Sequence, residues 1–357
     1  MDLDNFLEFK QQIFSEWQGA GDAARRRFSF EAEGRAPEPS YRLGLGFSFT
    51  GRGARDVRGE LRIQQEGSLA EKEAREISER MMGEARIRVA NFEIPAIGDL
   101  VAAAEEGGGP GRASLNPVAP GASISVAYGG TGTLGGFVQL ADGRTGFLSN
   151  NHVIARLGTA KAEAQLGEEE GDRIYQPGRG DKRYRRASDC VGRLYDFIAL
   201  DEGEANAIDV AVGLYESARA TAANMALASM GAPSDLQLGQ PKELAELLGE
   251  AAGMVVPAKI GRSTGYREGR VSALGLDGVT VNAGARALTF NDVIEIESDI
   301  GSPFSQPGDS GSIVFDRDSG TPFGLHFAGG QTKEPGTYVS LSCSLPEALH
   351  ALDLKWL

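Results

Sequence analysis

Between residues 121 and 345 the chain is a succession of short apolar runs separated by glycine-rich turn signals. Phe137-Val138-Gln139-Leu140, Val279-Thr280-Val281 and Val293-Ile294-Glu295-Ile296-Glu297 are examples, and Val191 to Leu200 reads as another strand. Density in Gly, Val, Ile and Thr with turns at short intervals predicts an all-β barrel or sandwich.

Within this stretch lies Pro307-Gly308-Asp309-Ser310-Gly311-Ser312, followed by the apolar Ile313-Val314-Phe315. Glycines around a serine permit a tight turn that exposes its hydroxyl. The backbone N–H groups of Gly308 and Ser310 can then converge as an oxyanion hole. The alternative is an ordinary turn before a strand. In a chain with 49 glycines among 357 residues, the tetrapeptide arises by chance in roughly a few per cent of cases. The motif therefore needs a base and an orienting carboxylate beside it.

The chain has three histidines, His152, His326 and His350. His350 falls in the helical pattern Leu345-Pro346-Glu347-Ala348-Leu349, and His326 in the strand Phe323 to Gly330 downstream of the serine. His152 follows Thr145-Gly146-Phe147-Leu148-Ser149-Asn150-Asn151, where a strand gives way to a loop or short helix. That is a suitable place for a base on a rigid scaffold. Between His152 and Ser310, the strand-like run Asn206-Ala207-Ile208-Asp209-Val210-Ala211-Val212-Gly213 holds a single carboxylate. Among Ile, Val and Ala, Asp209 is costly to bury unless paired; a histidine N–H or a turn cap would satisfy it. The chain order His152, Asp209, Ser310 is that of the chymotrypsin triad.

With these residues, several ordered segments resemble the trypsin-like serine peptidases, and within them a mostly bacterial branch akin to the plant Narrow-leaf-1 protein. They are Pro120 to Ser125, Gly130 to Gly136, Leu148 to Val153, Gly171 to Gly178, Asn206 to Ala211, Lys259-Ile260-Gly261-Arg262-Ser263-Thr264-Gly265, Phe304 to Ser312 and Gly324 to Gly330. The resemblance spans roughly residues 116–357. It implies a mainly β fold of two six-stranded antiparallel β-barrels, chymotrypsin-like, with the active site in the cleft between them. The Ala-, Leu- and Glu-rich stretch 218–252, with a helix at Glu243–Leu248, then reads as the connection between barrels.

The resemblance also places a specificity pocket. Phe304, six residues before the serine, falls near its base, and Phe327-Ala328-Gly329 on its wall. No carboxylate stands there to recruit Arg or Lys. Leu325-His326-Phe327 is similar to the strand of glutamate-specific bacterial relatives, where a histidine meets an acidic side chain; a hydrogen bond inside the barrel is the other reading of His326. In secreted zymogens of this family, the aspartate matching Asp309 pairs with a newly freed N-terminus. Lacking an Ile-Val-Gly-Gly start, this chain is expected to give Asp309 another partner and to be competent without cleavage.

Residues 1–115 read as a separate N-terminal part, and 116–357 as the peptidase domain. A helical pattern comes first, with Phe6, Phe9, Ile13, Phe14 and Trp17 on one face. Strands at Tyr41–Phe47 and Glu60–Ile63, a helix at Ser68–Met82 with a Ser68/Glu71 capping box, and a strand at Ala85–Val89 make a small α/β segment. A Gly-rich linker, Glu105 to Arg112, follows. A pro-segment, a partner-binding module and a folding aid are all open for it.

Composition excludes other classes. The net charge is −14, so the basic cluster Lys182-Arg183-Tyr184-Arg185-Arg186 reads as a solvated loop, not a nucleic-acid patch. No apolar run is long enough to cross a membrane. The acidic start Met1-Asp2-Leu3-Asp4 is unlike a secretory signal. The two cysteines, Cys190 and Cys343, lack metal spacing and read as reduced thiols, which predicts a cytoplasmic protein. No cofactor or metal is expected. The expected partner is a protein or peptide substrate, with the chain's own N-terminal region as one candidate. A catalytically silent scaffold is the alternative function, and an esterase using the same triad is a third.

Overall fold

The computed structural model describes residues 41–49, 57–65, 86–88 and 109–357, apart from 167–169, 183–185, 222, 226–227, 234–235, 251–254, 284–285, 300 and 332–336. The helices expected in residues 1–36 and at Ser68–Met82, and the linker before Gly109, lie outside the described residues.

Three strands come first: β1 (Tyr41–Phe49), β2 (Val57–Gln65) and β3 (Arg86–Arg88). β1 and β2 form an antiparallel hairpin, and β3 runs parallel to β2.

The first barrel follows. Its strands are β4 (Ser123–Val126), β5 (Gly132–Thr133), β6 (Phe137–Gln139), β7 (Thr145–Ser149), β8 (Arg173–Tyr175) and β9 (Cys190–Phe197). After the two-residue β10 (Ala205–Asn206), β11 (Ala211–Tyr215) completes it. β5 and β6 are two halves of one stave interrupted at Leu134–Gly136: β5 pairs with β4, and β6 with β7. The ladder continues β7–β11–β9–β8–β4, all antiparallel, and so closes on itself. Closure removes the exposed edges that strands this short would otherwise present.

The second barrel repeats the plan. It contains β12 (Pro257–Gly261), β13 (Gly265–Glu268) and β14 (Arg270–Asp277), after which the hairpin β15 (Val279–Ala283) and β16 (Arg286–Phe290) projects as part of a separate sheet. Next come β17 (Val293–Asp299), β18 (Ile313–Asp316), β19 (Pro322–Gln331) and β20 (Thr337–Ser344). β13 and β14 again share one stave, with β13 on β12 and β14 on β17. Closure runs β17–β20–β19–β18–β12.

Three links tie the parts together. β16 pairs in parallel with β10, just upstream of Asp209, bringing a hairpin of the second barrel onto the first. A helix at Leu345–Ala351, capped by the Ser344 hydroxyl accepting from the Glu347 N–H, leads into β21 (Lys355–Trp356), which pairs with β6. Finally, β1 pairs with β14 through Leu45↔Asp277 and Phe47↔Leu274. The strands read as a small separate segment thus extend the sheet of the second barrel. Residue patterning identifies a strand, but not which free backbone edge will take it.

Period-two burial explains the cores. In β7, Phe147 points into the first barrel with Ile124, Phe137, Ile174 and Leu194. Its neighbour Leu148 points the other way, into a cluster with Val138, Val212, Leu325, Phe327 and Leu341 that joins the two barrels. The expected helix, observed at Leu244–Glu250, covers a third cluster containing Ile294, Ile296, Phe304, Val314 and Phe323.

Candidate active site

β7 ends at Ser149, and Asn151–Ala155 form one wide helical turn that closes in a left-handed Arg156, φ 51°. That turn carries His152, 4% exposed, into the junction between barrels. Asp209 stands in the irregular residues between β10 and β11, not inside a strand as its apolar neighbours implied. Leaving the ladder frees it to face His152. Its Oδ2 lies 2.5 Å from His152 Nδ1, and its Oδ1 accepts from the His152 backbone N–H at 3.3 Å. Asn150 Nδ2 donates to the Asp209 carbonyl at 2.6 Å, fixing the backbone of the carboxylate from the same turn. An ionised carboxylate only accepts, so it selects the tautomer with the proton on Nδ1 and a lone pair on Nε2.

Ser310 belongs to the second barrel but is held by the first. Thr133 N donates to the Ser310 carbonyl at 2.8 Å. A Cβ added at Gly132 would lie 2.8 Å from that carbonyl and 2.7 Å from the Val153 side chain, so one backbone thickness separates Ser310 from the residue after His152. The Ser310 hydroxyl donates to the Phe327 carbonyl at 3.2 Å. Gly308 has φ +97°, and an added Cβ would meet Arg262 Nη1 at 2.1 Å. The φ favours glycine there whatever the space. Asp309 N–H donates to Gln306 O, whereas among the described residues neither the Gly308 nor the Ser310 N–H has a protein acceptor.

The expectation that Asp309 has a partner inside the chain is met by Lys259. Both side chains are fully buried, and Nζ lies 3.1 Å from Asp309 Oδ2. Thr264 Oγ1 donates to the same oxygen at 2.7 Å, and the Ser263 and Thr264 N–H groups donate to Oδ1 at 2.7 and 3.2 Å. Burial alone would raise the Asp309 carboxyl; the Lys259 charge and these donors hold it below its ordinary value. Lys259 lies in a strand between Ala258 and Ile260. A lone lysine in an apolar strand is the signal that could have singled it out.

The specificity residues are placed differently. Phe304 is 0% exposed in the cluster beneath the helix Leu244–Glu250, so its ring offers no surface to a substrate. The Phe327 ring is also buried, packed on Phe290 with centroids 4.6 Å apart. Ala328 and Gly329 are buried as well. An added Cβ at Gly329 would meet Ser305 Oγ at 2.9 Å. Ser305 Oγ in turn lies 2.7 Å from Ser340 Oγ, so the polar groups near this wall are hydroxyls that sequence reading passed over. His326 is 2% exposed, with Nδ1 3.0 Å from the Leu341 carbonyl. Burial first, and then the Lys259 charge, lower it to about 3. It is neutral at physiological pH, and of the two readings of His326 the hydrogen bond inside the barrel is present. His350 ends the C-terminal helix on the surface.

No family model matches the chain, and no curated protein does. Among solved structures it is similar to Nocardiopsis protease (NAPase), at 13% identity and TM-score 0.43, over 67% of this chain and 97% of that one. It is also similar to a glutamic acid specific serine protease described as using a histidine triad in substrate binding, at 16% identity and TM-score 0.43, over 67% of this chain and 100% of that one. Two closed antiparallel barrels, with the histidine and aspartate on one and the serine on the other, make the chymotrypsin-like double-barrel fold of this chain.

Proposed function

We infer that the chain is a serine endopeptidase acting through an acyl-enzyme, in the mostly bacterial branch akin to Narrow-leaf-1. The observation that carries this reading is the buried His152–Asp209 contact at 2.5 Å beside a Gly308–Ser310 turn whose two flanking N–H groups have no protein acceptor. Rotation of the Ser310 hydroxyl from Phe327 O to His152 Nε2 would start the reaction. His152 takes the hydroxyl proton as Oγ attacks the scissile carbonyl, and Asp209 steadies the imidazolium. The Gly308 and Ser310 N–H groups receive the developing oxyanion. His152 then protonates the leaving amine, and water attacks the acyl-enzyme by the reverse path.

The Ser310–Phe327 hydrogen bond favours the second reading, a silent scaffold. A fluorophosphonate probe separates the two: wild type becomes labelled at Ser310, and absence of labelling overturns the enzyme reading. Peptide cleavage separates a peptidase from an esterase. The free Cys190 and Cys343 fit a thiol-keeping compartment such as the cytosol. The segment 1–115 is proposed as an attached regulatory part, and the substrate as protein or peptide.

The neutral His326, together with the absence of a carboxylate at Phe304, favours a small or apolar residue before the scissile bond. His326→Ala is therefore expected to leave the cleavage profile of a peptide library unchanged while lowering thermal stability. An acidic preference in wild type that disappears in the variant overturns this.

A further inference from the structure

Backbone donors are useful only if their peptide planes are fixed, because a trans peptide carries its N–H opposite its C=O. Anchoring the carbonyl of one residue thus aims the N–H of the next. The Asp309 carbonyl accepts from Ser312 Oγ at 2.5 Å and Ser312 N at 3.0 Å, which fixes the Ser310 N–H from within the turn. The Pro307 carbonyl has its bond from elsewhere. Ser263 Oγ, in the tight turn between β12 and β13, donates to it at 2.7 Å, and this aims the Gly308 N–H the opposite way.

Ser263 is itself held. Arg262 Nη1 donates to Ser263 Oγ at 3.1 Å, leaving the hydroxyl proton for Pro307 O. The same guanidinium forks onto Asp181 of the first barrel, Nε to Oδ2 at 2.7 Å and Nη2 to Oδ1 at 2.6 Å, with 9% and 3% of the two side chains exposed. Its Nη1 fills the space where Gly308 has no side chain. Ser123 Oγ donates to Asp181 Oδ2, and Arg112 Nε approaches Oδ1 at 3.7 Å. None of these groups reaches Ser310 or His152 directly.

We propose that Asp181, Arg262 and Ser263 form a positioning relay that spans the two barrels and orients the Pro307–Gly308 peptide, and with it one of the two oxyanion donors. The relay rests on the acyl-transfer reading above. Without Ser263 Oγ, the Pro307 carbonyl loses its anchor and that peptide is free to rotate. Gly308 offers little resistance, since glycine tolerates most backbone angles. Ser263, Arg262 and Asp181 are positioning residues and not catalytic ones.

The test compares Ser263→Ala, Ser263→Thr and Arg262→Lys in the full chain. Removing an oxyanion donor outright costs about 10²–10³ in kcat; losing only its anchor is expected to cost Ser263→Ala about ten- to a hundred-fold. KM and Tm should stay near wild type, because the bond is near the surface. Binding of a peptide aldehyde, whose tetrahedral adduct occupies the oxyanion position, should weaken by the same factor as kcat. Ser263→Thr, which keeps a hydroxyl, should restore most of the rate. Arg262→Lys should resemble Ser263→Ala in kcat and in aldehyde binding, since an ammonium cannot fork onto Asp181 and reach Ser263 together, but with a lower Tm because the fork is buried. A kcat within about two-fold of wild type in Ser263→Ala overturns the relay, as does a loss of kcat matched by a fall in Tm without weaker aldehyde binding. A wild type that neither hydrolyses peptides nor takes the fluorophosphonate label overturns the acyl-transfer reading itself, which is a different result from an active wild type with an indifferent Ser263→Ala.

Discussion

Ser310→Ala and His152→Ala are each expected to lower peptide hydrolysis by at least about a thousand-fold, and the double variant to be little worse than either alone. The serine supplies the only nucleophile of the proposed reaction, and without the imidazole its hydroxyl is too weak at neutral pH to replace that loss. What remains should come from the Gly308 and Ser310 N–H groups and from substrate binding. Asp209→Asn should be nearly as damaging for a separate reason. Its amide nitrogen can face His152 Nδ1 as a donor, which moves the imidazole proton to Nε2, where a lone pair is needed. Unchanged Tm in Ser310→Ala together with lost activity is the expected pair of measurements. Near-normal hydrolysis by Ser310→Ala would refute the assignment, whereas a normal Asp209→Asn would remove only the third role.

Lys259→Met is expected to cost about 3–5 kcal/mol of stability, the usual result of stripping one partner from a buried ion pair. It leaves Asp309 ionised and fully buried beside the Ser310 turn. Activity should fall with stability, because Asp309 gathers the Gln306, Ser263 and Thr264 N–H groups that shape this turn. Lys259→Met with Asp309→Asn should recover much of the stability by removing the orphaned charge. The sign with pH follows from the lowered carboxyl: the contribution of Asp309 is complete above its unfolded value of 3.8 and fades as pH falls through its lower folded value. Denaturant titrations at neutral pH and below pH 4 measure it. An internal ammonium also makes a freed N-terminus unnecessary, so intact chain should hydrolyse peptide. Intact-mass analysis alongside active-site titration checks this, and activity appearing only after cleavage within Gly107–Pro120 would contradict it.

Much of the architecture was legible because it depends on local patterns. The runs Phe137–Leu140, Val279–Val281 and Val293–Glu297 alternate or branch as strands must, and each appears as one. The helix at Glu243–Leu248 and the C-terminal helix with His350 were equally plain. Asp209 was legible as a carboxylate needing a partner, through the cost of burying it in an apolar run. Spacing was a weaker guide to contact around the expected pocket. Six residues before the serine put Phe304 near a pocket, yet it is buried in one cluster with Leu244, Leu247 and Phe323. The strand that holds His326 buries its ring, and burial, more than its bond to Leu341 O, keeps it neutral.

Read alone, the linear chain marks the strand-rich fold class, the Gly-Asp-Ser-Gly turn and the order His152, Asp209, Ser310. These are properties of composition and near neighbours, encoded within a few residues. Only in the folded chain does β1 dock on β14, Lys259 neutralise Asp309, and Asp181 reach Arg262 behind Gly308. These partners lie tens to hundreds of residues apart. Each choice depends on which charges, edges and carbonyls remain unsatisfied once the barrels have closed, and a linear pattern cannot record that.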